Sequence, residues 1–280
     1  MDYLRYGFSN EKYLKFEGNQ ITDDIVEDAA NLFSSNYGVW GPIAEQKMCP
    51  TTKDNKKVAI GPLPFKQGQQ VTMGLLAFKH QFLPPNGHNI LIQMREQGHL
   101  LGYLVATRWD HKGRNVVWVT SLCANAKCRH WGVATKLLRM VRHGKPAMCY
   151  GILSPHPYAI RAAVRAWGNW PGDLDLTVTK RYAQLVMPSS PVRYVRKARL
   201  HGALFDESVH DWAVSCVDTN LWIDQEEVVA ALAKICKNNI PWPFGNLPNG
   251  HEFLFIAHGS HHRAIFQRRE DRVEAATARK

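Results

Sequence analysis

The sequence predicts an α/β (α+β) fold, a mixed and mostly antiparallel central sheet with flanking helices and a C-terminal extension. Three observations predict it. Apolar runs at 89–95, 99–107 and 115–122 follow one another with short turn signals between them, the spacing of an antiparallel meander. An amphipathic helical pattern at 132–142 then joins the third run to a further apolar run at 147–153. No Pro-, Gly- or Ser-rich linker and no internal repeat divides the chain.

Taken in order, the first 20 residues alternate aromatic and polar side chains and predict no clear element. Residues 22–33 predict a helix: Thr22 is a good N-cap, Asp23 and Asp24 suit the first turn, and Ile25, Ala29 and Phe33 share a face. Gly38, Gly41 and Pro42 break the pattern, and 43–67 reads as loop, with Pro50, Pro62 and Pro64 around a polar run. A second helical pattern, 68–82, runs through Val71, Leu75 and Phe78 to Pro84-Pro85-Asn86-Gly87. The three strands follow, turned by Gln97-Gly98 and by Asp110-His111-Lys112-Gly113. In the helix at 132–142, Val133, Leu137, Met140 and Val141 line one face and Lys136, Arg139 and Arg142 the other. Residues 147–153 predict a strand parallel to 115–122 with a right-handed crossover, and 157–167 an Ala-rich helix ended by Gly168 and Pro171. Beyond Gly172, 174–178 and 211–217 read as strands, 181–194 as less regular, 224–237 as a helix with Val228, Leu232 and Ile235 on one face, and 252–257 as a buried strand. The tail from His261 is basic and has no apolar stripe.

The bulk numbers limit the function. With 280 residues, 45% of them hydrophobic and 21% charged, the chain can bury a core without disulfides or metals. A formal charge of +11 favours anionic partners such as phosphorylated cofactors, nucleic acid or acidic surfaces, and is equally the mark of a solvated basic surface. Nucleic acid is the weakest of these, because the cations are scattered apart from clusters at 193–199 and in the tail. The six cysteines contain no C-x-x-C pair and suit reduced thiols inside a cell. No signal peptide and no membrane-length apolar run is visible, so the cytoplasm, or the nucleus, is the expected compartment. No metal site is expected: His258, His261 and His262 have no carboxylate to complete one.

The segment Arg129-His130-Trp131-Gly132-Val133-Ala134 carries the chemistry. It links a strand ending near Leu122 to a helix starting at about Gly132, and a helix N-terminus offers unpaired N–H groups and partial positive charge to a pyrophosphate. Gly132 and Ala134 lack bulk, Arg129 adds a cation and Thr135 a hydroxyl. No G-K-[ST] follows, which excludes a nucleotide P-loop, and the glycine spacing of a dinucleotide fingerprint is missing.

Filled as Arg129-x-x-Gly132-x-Ala134, this run resembles the [Q/R]-x-x-G-x-[G/A] signature of the GNAT acetyltransferase superfamily. The order of elements over 88–168 resembles that family's core from second strand to fourth helix, and the phrases SPHP, LFD and PNGHEFL resemble uncharacterised fungal GNAT-like proteins. The resemblance implies a core over 1–170, an extension over 171–260 that completes the sheet and the acceptor pocket, and a basic tail over 261–280. It implies acetyl-CoA as cosubstrate, held in a V-shaped gap between 115–123 and 147–153. The thioester carbonyl would face the N–H of Leu122 or Cys123, the pyrophosphate would sit on Arg129 to Thr135, including His130, Trp131 and Val133, and the pantetheine arm would pass Ser154 and His156. The acceptor would be a primary amine: a small molecule, a protein N-terminus or a lysine. The positive charge disfavours a polyamine.

The family's strand acid is missing from NVVWVTSLCAN, and Ala163 stands where its tyrosine acid would be. A water held by Thr120 or Ser121, Asp218, and the pair His251-Glu252 are the candidate bases; Tyr158 and His156 are the candidate acids, with capping as the competing role for His156. Cys123 and Cys149 fall in apolar strands and read as buried structural thiols. Tyr3, Tyr6, Phe8, Tyr37 and Trp40 either line an apolar acceptor pocket or pack the core. The empty acid and base positions keep open an alternative, a non-catalytic acyl-CoA-binding regulator.

Overall fold

The computed structural model describes residues 11–48, 65–142, 146–168 and 174–259. In chain order the elements are β1 (Glu11–Glu17), α1 (Asp23–Asn36), α2 (Ala44–Met48), α3 (Leu75–Phe82), β2 (His88–Glu96), β3 (His99–His111), β4 (Arg114–Ala124), α4 (Val133–Arg142), β5 (Cys149–Ser154), α5 (Pro157–Trp167), α6 (Thr177–Val186), α7 (Arg193–Lys197), β6 (Arg199–His201), β7 (Cys216–Leu221), α8 (Glu226–Lys237) and β8 (Gly250–His258). The strands form one eight-stranded sheet in the order β1-β2-β3-β4-β5-β8-β7-β6. Every pairing is antiparallel except β4 with β5, so the predicted mixed, mostly antiparallel sheet with flanking helices is the observed architecture.

Strand alternation sorts the core into two layers. Ile92, Leu104, Val117, Ile152, Phe253 and Phe255 face α4, α5 and α8 through Leu137, Ile160 and Val228. On the other face, Leu91, Tyr103 and Val105 meet Phe33 of α1 and Phe78 of α3, while Trp118, Leu254 and Ile256 meet Tyr182 of α6 and Val195 of α7. The parallel pair is closely fitted. A Cβ on Gly151 would come within 2.3 Å of the Trp118 ring on the neighbouring strand, so only glycine lets the buried indole lie across β5.

Four local readings are corrected, two by contacts from elsewhere in the chain and two by short-range turns. Residues 11–17 form an edge strand on β2, where Lys12, Lys15 and Glu17 interrupt the apolar pattern as edge strands commonly do. The helix expected from Gly68 begins only at Leu75: Val39 bridges Gln70 and the Val71 N–H donates to Gly38 O at 2.9 Å, holding the backbone extended as far as the N-cap Gly74. The expected strand 174–178 instead opens α6, because the Asp175 carboxylate accepts from the Thr177 N–H (2.8 Å) and hydroxyl (2.6 Å) and starts a helical turn. The expected strand 211–217 starts at Cys216, since Asp211 accepts from the Ala213 N–H and Trp212 has φ +64°, which bends the chain first. The basic tail, Tyr3, Tyr6, Phe8, His261 and His262 lie outside the described residues.

Candidate functional site

The parallel strands separate in mid-course. β4 and β5 pair from Val116↔Cys149 to Val119↔Ile152 and no further. Beyond that point β4 stays with β3 as far as Ala124↔Gly102, and β5 stays with β8 as far as Ser154↔Phe253. The divergence coincides with a bulge: Ala106 pairs with Val119 and Val105 with Ser121, leaving Thr120 as the extra residue. The bulge is held firmly. The Thr120 hydroxyl donates to Phe82 O (2.9 Å) and its carbonyl accepts from the Tyr194 hydroxyl (2.9 Å). Ser121 Oγ bonds the buried Tyr103 hydroxyl at 2.8 Å, so both hydroxyls considered for holding a water already have protein partners.

The segment 129–134 lies at this end of β4. His130 and Gly132 have φ of +67° and +85°, and a Cβ on Gly132 would meet nothing within 4 Å. Glycine is therefore required here by the backbone, and the space in front of it is open. The first helical bond, Lys136 N–H to Gly132 O at 2.9 Å, leaves the N–H groups of Val133, Ala134 and Thr135 without intrahelical acceptors. Trp131 is half exposed beside them.

Arg129 does not extend freely into solvent. Its guanidinium pairs with Glu227 of α8 and donates to Asn36 O at 2.7 Å. Glu227 also lies 3.4 Å from His156 Nε2. His156 caps α5, its Nδ1 accepting from the Tyr158 N–H at 3.2 Å and its own N–H donating to Ser154 Oγ at 3.1 Å. With Nδ1 as acceptor, Nε2 carries the proton and faces the carboxylate. His156 and then Arg129 hold the Glu227 carboxyl down at about 2. His130 stands edge-on to Tyr158 at 4.8 Å, and burial, with Lys234 next, lowers its pKa. Arg129, His130, Ser154, His156 and Tyr158 thus come together around Glu227, which the sequence placed only within the helix expected over 224–237.

A second cluster occupies the opposite face of the sheet. In β8, Phe253 and Phe255 belong to the α4–α5–α8 layer and Leu254 and Ile256 to the other, so alternation puts Glu252 with Leu254. Glu252 is 7% exposed. Burial pushes its carboxyl up to about 7, with the Thr219 hydroxyl pulling the other way, and no cation among the described residues contributes. Tyr37, at the end of α1, and Tyr194, on α7, are raised by burial first and by Glu252 second. Register sends the other candidates elsewhere. Val217 pairs with Glu252, whereas Asp218 pairs with His251 on the far face, where Asp218 accepts from the Asn220 N–H at 3.0 Å. Cys123 and Cys149 are buried, and burial lifts Cys123 to about 12 and Cys149 higher, which keeps both as thiols rather than nucleophilic thiolates. No group of His, Cys, Asp and Glu among the described residues is placed to hold a metal ion, and no described helix is long and apolar enough to cross a membrane.

No protein-family model matches the chain, and no curated protein sequence is similar to it. Solved structures show a partial likeness. A tandem GNAT protein from the clavulanic acid biosynthesis pathway aligns at 16% identity over 54% of this chain and 43% of that one, with a TM-score of 0.33. An aminoglycoside 6'-N-acetyltransferase complexed with coenzyme A aligns at 10% identity over 50% of this chain and 61% of that one, with a TM-score of 0.28. A GNAT-like decarboxylase in complex with isobutyryl-CoA aligns at 11% identity over 88% of this chain and 98% of that one, with a TM-score of 0.35. This chain therefore spans less than two thirds of either of the first two proteins.

Proposed function

We propose that the chain is an acyl-coenzyme A-dependent N-acyltransferase of the GNAT kind, transferring acetyl from acetyl-CoA directly to a primary amine. The observation that carries this reading is the parting of the parallel strands β4 and β5 after Val119 and Ile152, beside a helix whose N-terminus is led in by the open, positive-φ Gly132. A gap between parallel strands admits an extended chain, and the free N–H groups of Val133, Ala134 and Thr135 suit a pyrophosphate at its mouth. Acetyl-CoA would supply the activated acyl group as a thioester. The Asn125 N–H donates to Leu101 O on the β3 side at 2.9 Å. Alternation then turns the Cys123 N–H the same way and aims the Leu122 N–H into the gap, which favours Leu122 as the donor to a carbonyl oxygen that gains negative charge. Residues 1–170 would form the cofactor-binding core and 171–260 the wall of the acceptor side.

Calorimetry with coenzyme A tests the reading, followed by release of free thiol from acetyl-CoA in the presence of a panel of amines. Gly132→Glu is expected to abolish coenzyme A binding, because a carboxylate would stand where the pyrophosphate lies; unchanged affinity would show that the cofactor binds elsewhere. A second reading, an acyl-CoA-binding regulator without turnover, draws on the absence of an acid from β4 and on Ala163 in α5. Tight binding with no thiol release for any amine would favour it.

A further inference from the structure

We infer that Glu252, with Tyr37 and Tyr194 beside it, forms a binding site for a primary ammonium group carried on an uncharged, apolar body, and that Glu252 takes the proton this group must lose. The inference rests on the acyl-transfer reading and adds the acceptor class and the residue that receives it.

Three observations carry it. First, Glu252 is more than nine-tenths buried, and among the described residues no cation contributes to its titration; the titratable groups it acts on are the two tyrosines, while Lys47 of α2 lies over the Trp222 ring. A buried carboxylate without a counter-charge is costly, and a folded chain keeps one where a ligand supplies the charge or the proton. Second, Tyr194 ties this cluster to the parted strands, because its hydroxyl is bonded to the carbonyl of the bulge residue Thr120. Third, the surroundings are aromatic and apolar: Tyr37, Tyr194, Leu221 and Trp222 are partly buried members of the cluster that contains Trp40. Such walls accept a hydrocarbon or aromatic body, and the cation at their edge, Lys47 over the Trp222 ring at 5.4 Å, disfavours the further positive charges of a polyamine. Burial places the Glu252 carboxyl at about 7, where a carboxylate can accept a proton near neutral pH.

The protons balance. The ammonium gives one proton to the Glu252 carboxylate, leaving a neutral amine. The amine nitrogen forms the C–N bond as the thioester C–S bond breaks. The second proton lost by nitrogen ends on the departing thiolate, and Glu252 returns its proton to solvent.

The test uses the full chain and the variants Glu252→Gln, Glu252→Asp and Tyr37→Phe, with phenethylamine as probe and spermidine and glutamate as controls. Wild type is expected to acetylate phenethylamine in preference to both controls, with kcat/KM rising as pH passes about 7. Glu252→Gln is expected to lose about 100-fold or more in kcat/KM, to keep its coenzyme A affinity and to lose the pH rise. Glu252→Asp should recover part of the rate and Tyr37→Phe should raise KM. Turnover of phenethylamine by Glu252→Gln at the wild-type rate, or a pH rise that survives in that variant, would overturn the inference. Should wild type fail to bind coenzyme A, the acyl-transfer reading falls by itself. The ammonium site is then decided by calorimetry with phenethylamine alone: binding that disappears in Glu252→Gln supports it, and no binding to wild type overturns it.

Discussion

Replacing Glu252 by Gln should change how the stability of the fold depends on pH, whatever the protein catalyses. The carboxyl ordinarily titrates near 4.5 and burial lifts it to about 7 in the folded chain. Between these values the folded state holds a proton that the unfolded state has released. By linkage, stability must fall as pH rises through this window, and the loss is complete above the folded value. The interval from 4.5 to about 7 corresponds to roughly 3 kcal/mol at 1.36 kcal/mol per tenfold change in proton affinity, of which about 2.5 kcal/mol develops between pH 5 and pH 8.5. The amide that replaces the carboxyl cannot ionise, so the variant lacks this downward limb. Any cost of burying that amide is the same at both pH values and cancels in the comparison. Urea unfolding of both proteins at the two pH values gives the number: relative to wild type, the variant should gain about 2.5 kcal/mol from the lower pH to the higher. Parallel curves for the two proteins would refute the reasoning and would mean that the Glu252 carboxylate has a counter-charge or reaches water.

Gly151→Ala places a methyl carbon within 2.3 Å of the Trp118 ring, and this overpacking should cost about 1–3 kcal/mol in urea unfolding, since the parallel pair must shift to admit it. Glu227→Gln should flatten the acid limb of stability: the wild-type carboxyl is held at about 2, so the support from His156 and Arg129 is present above about 4.5 and is lost as pH falls toward 2. The same variant removes the carboxylate from Arg129, leaving its bond to Asn36 O, and should tighten coenzyme A in calorimetry if that guanidinium meets phosphate; weaker binding would show that the ion pair shapes the mouth instead. Thiol labelling of the native protein at pH 8 should modify the exposed Cys236 and spare Cys123 and Cys149 until unfolding, as peptide mass mapping would show.

Local sequence determined the parts that local chemistry controls. The meander β2–β3–β4, the helix α4 with its glycine entry, the strand β5 and the helix α5 were all legible, because apolar periodicity and Gly or Pro punctuation act over a few residues. The sequence misled in two ways: 69–73 stays extended because the distant backbone of Gly38 and Val39 competes with local helix preference, and the β-branched run after Asp175 turns helical because a short-range Asx turn outweighs strand propensity. The candidate site divides along the same line. A motif spaced within six residues marked the helix entrance at Arg129 to Ala134, but nothing local could show that Glu227, 98 residues away, pairs with Arg129. Nor could it separate Glu252 from Asp218, two acids that alternation and register send to opposite faces of one sheet. Sequence alone identified a strand–loop–helix junction able to hold an anion. Tertiary structure decided that the parallel strands beside it part, that its arginine is already paired, and that a carboxyl with no counter-charge among the described residues lies buried on the far side, because strand pairing and burial depend on residues brought together from across the chain.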